Sequence, residues 1–220
     1  MRYLNRVIIT STIMFLMTKR YQELVIKDGR FVGKFEEMYQ EFDDPWSQVE
    51  LKIENNISRQ IVINYVNKYK ISSLVEIGCG LGKTTNFISS NCKADILGVD
   101  ISKTAINKAK NNYPALFFEV GDVRDIEKFF LYDCIFFSEI TWYLLEDNLI
   151  DYTFEKMLKG FTGKFFIHNL VFYKGQQKYG LEYFDSLNKF IKYCPFHLLG
   201  KVEIDLADSD CIETSCIFRV

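Results

Sequence analysis

One short run of the chain holds an acid and three alternate glycines: Glu76-Ile77-Gly78-Cys79-Gly80-Leu81-Gly82. Alternate glycines allow a tight turn, bring bare backbone against a ligand and release the chain into a helix. Two further acids stand in similar settings, Asp100 in Gly98-Val99-Asp100 and Asp122 in Gly121-Asp122-Val123. Later, Ser138-Glu139-Ile140-Thr141-Trp142-Tyr143 and His168-Asn169 close two apolar runs, the second leading on to Tyr173. An imidazole titrates near neutral pH and can take a proton from a hydroxyl. The outline is of glycine backbone, carboxylates and one base.

The glycine spacing discriminates among ligands. A dinucleotide fingerprint needs G-x-G-x-x-G, but Gly82 falls one place early and Lys83 holds the third position. Gly82-Lys83-Thr84 looks like the end of a phosphate-binding P-loop, which would need glycine where Ile77 stands. Glu76 at the mouth would also repel a triphosphate, so a P-loop-like nucleotide binder is the alternative reading. Asp100 lies 18 residues after Gly82, close to the ~20 at which a carboxylate meets ribose hydroxyls. Taken singly, Asp100 and Asp122 also read as helix caps or turn residues.

These residues need strands and helices that alternate. Short buried strands are predicted at Leu74–Ile77, Ile96–Val99, Leu116–Val120, Cys134–Phe137 and Lys164–Ile167. Helices are predicted between them at Lys83–Ser90, Ser102–Asn111 and Asp147–Lys159. Strands apolar on both faces argue for an α/β fold, a mostly parallel sheet with helices on both faces. Leu199–Leu206 and Cys211–Val220 read as a final antiparallel strand pair. Upstream, Lys34–Phe42 has a helical pattern ended by Asp43-Asp44-Pro45-Trp46. Ser47 and Glu50 then form a capping box for a long helix with Val49, Ile53, Ile57, Ile61 and Tyr65 on one stripe. In open α/β sheets ligands bind beyond the carboxyl ends of the strands, where the acids and His168 are expected.

Composition narrows the partners. The chain of 220 residues carries 27 Lys and Arg against 29 Asp and Glu, with no dense basic run, so a nucleic-acid partner is not expected. Six cysteines include no C-x-x-C pair, and no clustered His/Asp/Glu signature suggests a metal. Reduced thiols in a cytoplasmic protein are expected. Residues 1–33 read as an N-terminal extension and 34–220 as a single domain. Val7–Met17 is an apolar stretch of 11 residues, too short for the ~20 of a spanning helix. An ordered helix, a membrane-surface anchor, or a segment upstream of a true start at Met17 are the readings it allows.

The order acid-x-G-x-G-x-G, then Asp100, then Asp122, resembles the class I S-adenosylmethionine-dependent methyltransferases from about Asp43 onward. The resemblance implies a Rossmann-like sheet of about seven strands and S-adenosylmethionine as methyl donor. By resemblance Gly78, Cys79, Gly80 and Gly82 pack under the donor, with Glu76 near its methionine end. Asp100 then accepts both ribose hydroxyls, Ile101 and Val123 flank the adenine, and Asp122 faces its amino group. Ser138 and Glu139 are expected beside the transferring methyl. Trp142, Tyr143, Asn169 and Tyr173 are expected around the acceptor, with His168 as general base for a hydroxyl and Glu139 as second catalytic residue. Asp43-Asp44-Pro45-Trp46 and Tyr173-Lys174-Gly175-Gln176 are similar to segments of nodulation-type methyltransferases and of those in bacterial capsule clusters making phosphoramidate decorations. This implies a small carbohydrate- or phosphoryl-linked acceptor. A methyltransferase fold serving only as a binding module is the other alternative. The residues leave open the oligomeric state and whether oxygen or nitrogen is methylated.

Overall fold

The computed structural model describes residues 21–47, 56–175 and 179–220. The described chain opens with α1 (Gln22–Val25) and a small antiparallel hairpin of β1 (Ile26–Lys27) and β2 (Arg30–Phe31). Next come α2 (Phe35–Glu41) and α3 (Ile57–Lys68), then β3 (Ser73–Ile77), α4 (Lys83–Asn91), β4 (Asp95–Asp100), α5 (Lys103–Asn112) and β5 (Phe117–Val120). After β6 (Cys134–Ser138) follow α6 (Leu149–Gly160), β7 (Phe165–Tyr173), α7 (Leu187–Tyr193), β8 (His197–Asp205) and β9 (Cys211–Arg219).

The large sheet has seven strands in the order β5-β4-β3-β6-β7-β9-β8. β5 through β7 are parallel, and β9 runs antiparallel between β7 and β8. Successive strand residues serve opposite faces, as the two-residue side-chain period requires. Val75, Ile135, Phe137 and Phe166 join one core with α6 and α7, while Leu74, Cys134, Phe136 and Ile167 join another with α3. The expected α/β layering with a C-terminal antiparallel pair is what the chain adopts. After β5 the chain returns to the other side of β3, so the order reverses between β3 and β6. A ligand crevice is expected at that switch point.

Three differences from the predicted boundaries bear on the site. β7 does not end at Ile167; it runs nine residues, Phe165–Tyr173, and pairs with β9 along that whole length. Long-range antiparallel pairing extends the strand, and His168 and Asn169 therefore sit inside it. The helix expected from Ser47 does not run unbroken to Tyr65, because Asn56 has extended backbone and caps a new helix by accepting from Arg59 N–H at 2.9 Å. Val49, Glu50 and Ile53 lie outside the described residues. The buried stripe of α3 is Ser58, Val62, Tyr65 and Val66, with Ile57 exposed, so the core-facing register is one place on from that expected. Finally, residues 21–33 are no appendage. Leu24 and Val25 are buried against Met38, Tyr39, Leu81 and Ala105.

Among the described residues no helix is long and apolar enough to cross a membrane. The apolar segment Val7–Met17 lies outside them.

Candidate functional site

The glycine loop leaves β3 and turns back on the end of β4. Gly78 and Cys79 both donate their N–H to Val99 O, at 2.8 and 3.0 Å. Gly78 has φ +85°, and a Cβ there would lie 2.1 Å from Ile140 Cγ2, so only glycine fits. Gly82, with φ +80°, caps α4 and would drive a Cβ to within 2.6 Å of the Phe118 ring.

Asp100 is the hub of this region. Its Oδ2 accepts from Gly80 N–H and its Oδ1 from Ser102 N–H, both at 2.9 Å. Burial pushes its pKa up to about 6, with the backbone hydrogen bonds opposing. A carboxylate offers roughly four lone-pair sites, so both oxygens retain capacity for a ligand's hydroxyls. Glu76 is fully buried; its Oε2 accepts from Thr85 Oγ1 at 2.5 Å, and its Oε1 has no partner among the described residues. Burial raises its pKa to about 7, against the Thr85 hydrogen bond.

The cleft itself has a volume of about 820 Å³ and lies over the carboxyl ends of β3, β4 and β6. Gly78, Asp100, Ile101, Asp122 and Val123 line its loop end. Asp122 is also a cap, accepting from Arg124 N–H at 2.9 Å and pairing with the Arg124 guanidinium at 2.7 Å. This acid is therefore a cap that also lines the cleft. Glu76, Cys79, Gly80 and Gly82 are not on the wall; they shape the loop from behind.

Ser138, Glu139, Trp142, Tyr143 and Tyr173 also line the cleft. Trp142 donates its indole N–H to Val171 O at 2.9 Å. Glu139 takes the left-handed backbone conformation, φ +62°, and its carboxylate meets Arg59 at 2.8 Å. A non-glycine residue at positive φ persists only where its surroundings fix it. With the Asn169 amide turned to satisfy both of its ends, Oδ1 accepts from Arg59 Nη1 at 3.1 Å and Nδ2 donates to Ser215 Oγ at 2.7 Å. Asn169 thus supports Arg59 from behind the wall and does not itself line the cleft.

His168 is placed differently from the expectation. It is fully buried in mid-strand, stacked on Phe190 with ring centroids 3.9 Å apart, and its Nε2 lies 2.7 Å from Thr141 Oγ1. Burial lowers its pKa to about 3, and it is absent from the cleft lining. The longer β7 is the reason: a residue expected at a strand mouth sits in the sheet, facing α7.

Sequence reasoning missed Arg59, Val171, Glu213 and an aromatic wall from the N-terminal segment: Tyr21, Phe31, Phe35, Tyr39 and Trp46. Trp46 stood only in the resembling segment Asp43-Asp44-Pro45-Trp46, and chain folding brings them all here. Glu36 anchors that segment, accepting from Ser102 Oγ and Thr104 Oγ1 at 2.7 Å each, which lowers its pKa to about 2, Thr104 contributing most. No group of three His, Cys, Asp or Glu among the described residues is placed to hold a metal ion.

A family described as "Methyltransferase domain" matches residues 74–160, which include the glycine loop, Asp100, Asp122 and Glu139. A curated protein of Invertebrate iridescent virus 6, provisionally named methyltransferase 235L, is 38% identical over 66 residues, 28% of this chain. That match spans a quarter (25%) of the relative's own length. Among solved structures, the N-methyltransferase NodS from Bradyrhizobium japonicum WM9, in complex with S-adenosyl-L-homocysteine, superposes with a TM-score of 0.66 at 18% identity. The alignment covers 84% of this chain and 96% of that one. The PH0226 protein from Pyrococcus horikoshii OT3 gives 0.59 at 14% identity, over 84% and 99% of the two chains. The methyltransferase domain of bacterial CtHen1 gives 0.58 at 17%, over 74% and 97%. The fold is that of these proteins, and residues 74–160 carry the match to a methyltransferase domain.

Proposed function

We propose that the protein transfers a methyl group from S-adenosylmethionine to an oxygen or nitrogen of a small molecule. One observation carries this reading: a single cleft joins the glycine loop and Asp100 to a separate wall built by Glu139, Arg59 and the aromatic residues. Donor and acceptor can thus be held face to face.

The residues present fit the donor. Gly78 brings bare backbone to the cleft lining, Glu76 behind it has an unmet buried oxygen, and Asp100 holds two oxygens at the end of β4. When bound, the donor supplies an activated methyl on a positively charged sulfur. Asp100 would accept its ribose hydroxyls, Ile101 and Val123 would enclose the adenine, and Asp122 would face the adenine amino group. Carboxylates suit a cationic ligand, and the same carboxylates disfavour the triphosphate of the P-loop alternative. Methyl transfer is an in-line displacement, so alignment supplies much of the rate. Arg59 and Asn169 fix Glu139 at the join between the two ends, and the aromatic wall keeps water from the methyl.

The finer reading, a carbohydrate- or phosphoryl-linked acceptor of surface polysaccharide synthesis handled in the cytoplasm, rests on the sequence resemblance. A phosphoryl group would draw on Arg59 or Arg124, and both are already ion-paired. Lys174 bonds to Leu206 O and Ser209 O, away from the cleft; Lys178 lies outside the described residues. Sugar hydroxyls or amines suit the wall better.

Calorimetry with S-adenosylhomocysteine, with ATP as comparison, tests the donor site. Binding of ATP alone would return the nucleotide-binding alternative. Binding of the methyl donor with no product from any acceptor screened by mass spectrometry would favour a non-catalytic binding module.

A further inference from the structure

Resting on the proposed methyl transfer, we infer that the acceptor is an amine and that Glu213 receives it. Glu213 lies on β9 directly opposite Val171 of β7, and both line the cleft. Opposed residues of an antiparallel pair share one face. Tyr173 and Cys211, the next pair on that face, line the cleft too. Glu213 therefore stands at the acceptor end, beyond the Arg59–Glu139 pair.

Of the described acids that line the cleft, Glu213 alone has an unmet oxygen. Glu213 Oε2 is sealed from solvent and has no hydrogen-bond partner among the described residues. The other acids of the wall are occupied: Asp100 by two backbone N–H groups, Asp122 by Arg124, Glu139 by Arg59. A buried acceptor without a donor is expensive to maintain unless a ligand completes it.

Charge selects the ligand. The described wall has four carboxylates (Asp100, Asp122, Glu139, Glu213) and two guanidiniums (Arg59, Arg124). Two negative charges are left over, where the sulfonium of the donor accounts for one. An ammonium accounts for the second and brings three donors, against one from a hydroxyl. Trp46, Tyr143 and Phe35 make the same wall aromatic, and aromatic rings attract cations.

The step balances. The entering ammonium yields one proton to the Glu213 carboxylate, and from there to water. Its nitrogen lone pair forms the N–C bond to the methyl while the C–S bond breaks, the bonding pair staying on the now neutral sulfur. The product leaves as the methylated ammonium, carrying the positive charge.

The test compares wild type, Glu213→Gln and, as control, Glu203→Gln on the exposed face of β8. Glucosamine is set against glucose, and phenethylamine against phenethyl alcohol, each with S-adenosylmethionine and mass spectrometry for a gained methyl. S-adenosylhomocysteine affinity is measured for all three proteins. The expected result is methylation of the amines over the alcohols. Glu213→Gln should lower amine kcat/KM by about tenfold to a hundredfold, with S-adenosylhomocysteine affinity unchanged and the control like wild type. Alcohols methylated as well as amines, no product from any probe while S-adenosylhomocysteine binds, or an unaffected Glu213→Gln would each overturn the inference alone. Failure of wild type to bind S-adenosylhomocysteine would overturn the donor reading and this inference with it.

Discussion

Arg59 donates to Glu139 across 2.8 Å and so ties α3 to the end of β6, where Glu139 holds a left-handed backbone. The arginine is well covered, 12% exposed, and Glu139 is 36% exposed, so water screens part of the pair. Removing one partner strands the other beside the cleft. Arg59→Met should destabilise the protein by about 1–2 kcal/mol in urea unfolding. A double-mutant cycle with Glu139→Gln should give a coupling of about 0.5–3 kcal/mol. Additive single effects would mean that the pair contributes nothing.

Asp100→Ala should weaken S-adenosylhomocysteine binding by about tenfold to a hundredfold. The same change strips the Gly80 and Ser102 N–H groups of their acceptor. Stability should therefore also fall, by about 1–3 kcal/mol, and Asp100→Asn should restore part of it. Calorimetry and urea titration on the same samples separate the two effects. Wild-type affinity in folded Asp100→Ala would remove the residue from the donor site.

His168 should act through stability and its pH dependence, and not as a base. Its pKa of about 3 in the fold stands below the 6.5 of a free imidazole. Between those values the unfolded chain takes up a proton that the folded one refuses. Stability is thus intact above pH 6.5 and falls as pH drops toward 3, by up to about 1.4 kcal/mol per pH unit. His168→Asn should lower stability at pH 7 by losing the Phe190 stack, yet lose less than wild type between pH 7 and pH 5. Turnover of the folded variant should stay close to wild type. A fall of about 10²–10⁴ in turnover without unfolding would restore the catalytic role.

Two N-terminal truncations should behave differently. A chain starting at Met17 keeps Tyr21, the hairpin and the buried pair Leu24 and Val25, and should bind S-adenosylhomocysteine normally. One starting at Lys34 loses them, along with Phe31 from the cleft wall. Burying each aliphatic side chain contributes about 1.5–3 kcal/mol, so a clear drop in Tm and weaker binding are expected. Thermal unfolding and calorimetry of both chains decide it; equal behaviour would make residues 17–33 dispensable.

Short-range features were legible in the sequence. Three alternate glycines permit a turn with positive φ, and Gly78, Gly80 and Gly82 all adopt it. Short apolar runs alternating with helical patterns argue for buried parallel strands, and β3, β4 and β6, with Asp100 and Ser138 at their ends, lie where that pattern put them. These are local rules, satisfied within a few residues. The far end of the site depended on partners distant in the chain. β7 ran past His168 because β9, some fifty residues later, paired with it to Tyr173, and that pairing moved the histidine from a strand mouth into the core. The same pairing set Glu213 opposite Val171 in the cleft wall. Arg59 and the aromatic wall have no spacing to announce them, since only packing of α3 and the N-terminal segment over the sheet gives those side chains a common cavity. Sequence periodicity fixes which face a residue takes within its own element, whereas which elements meet, and which charges are left unmet between them, is decided by tertiary burial.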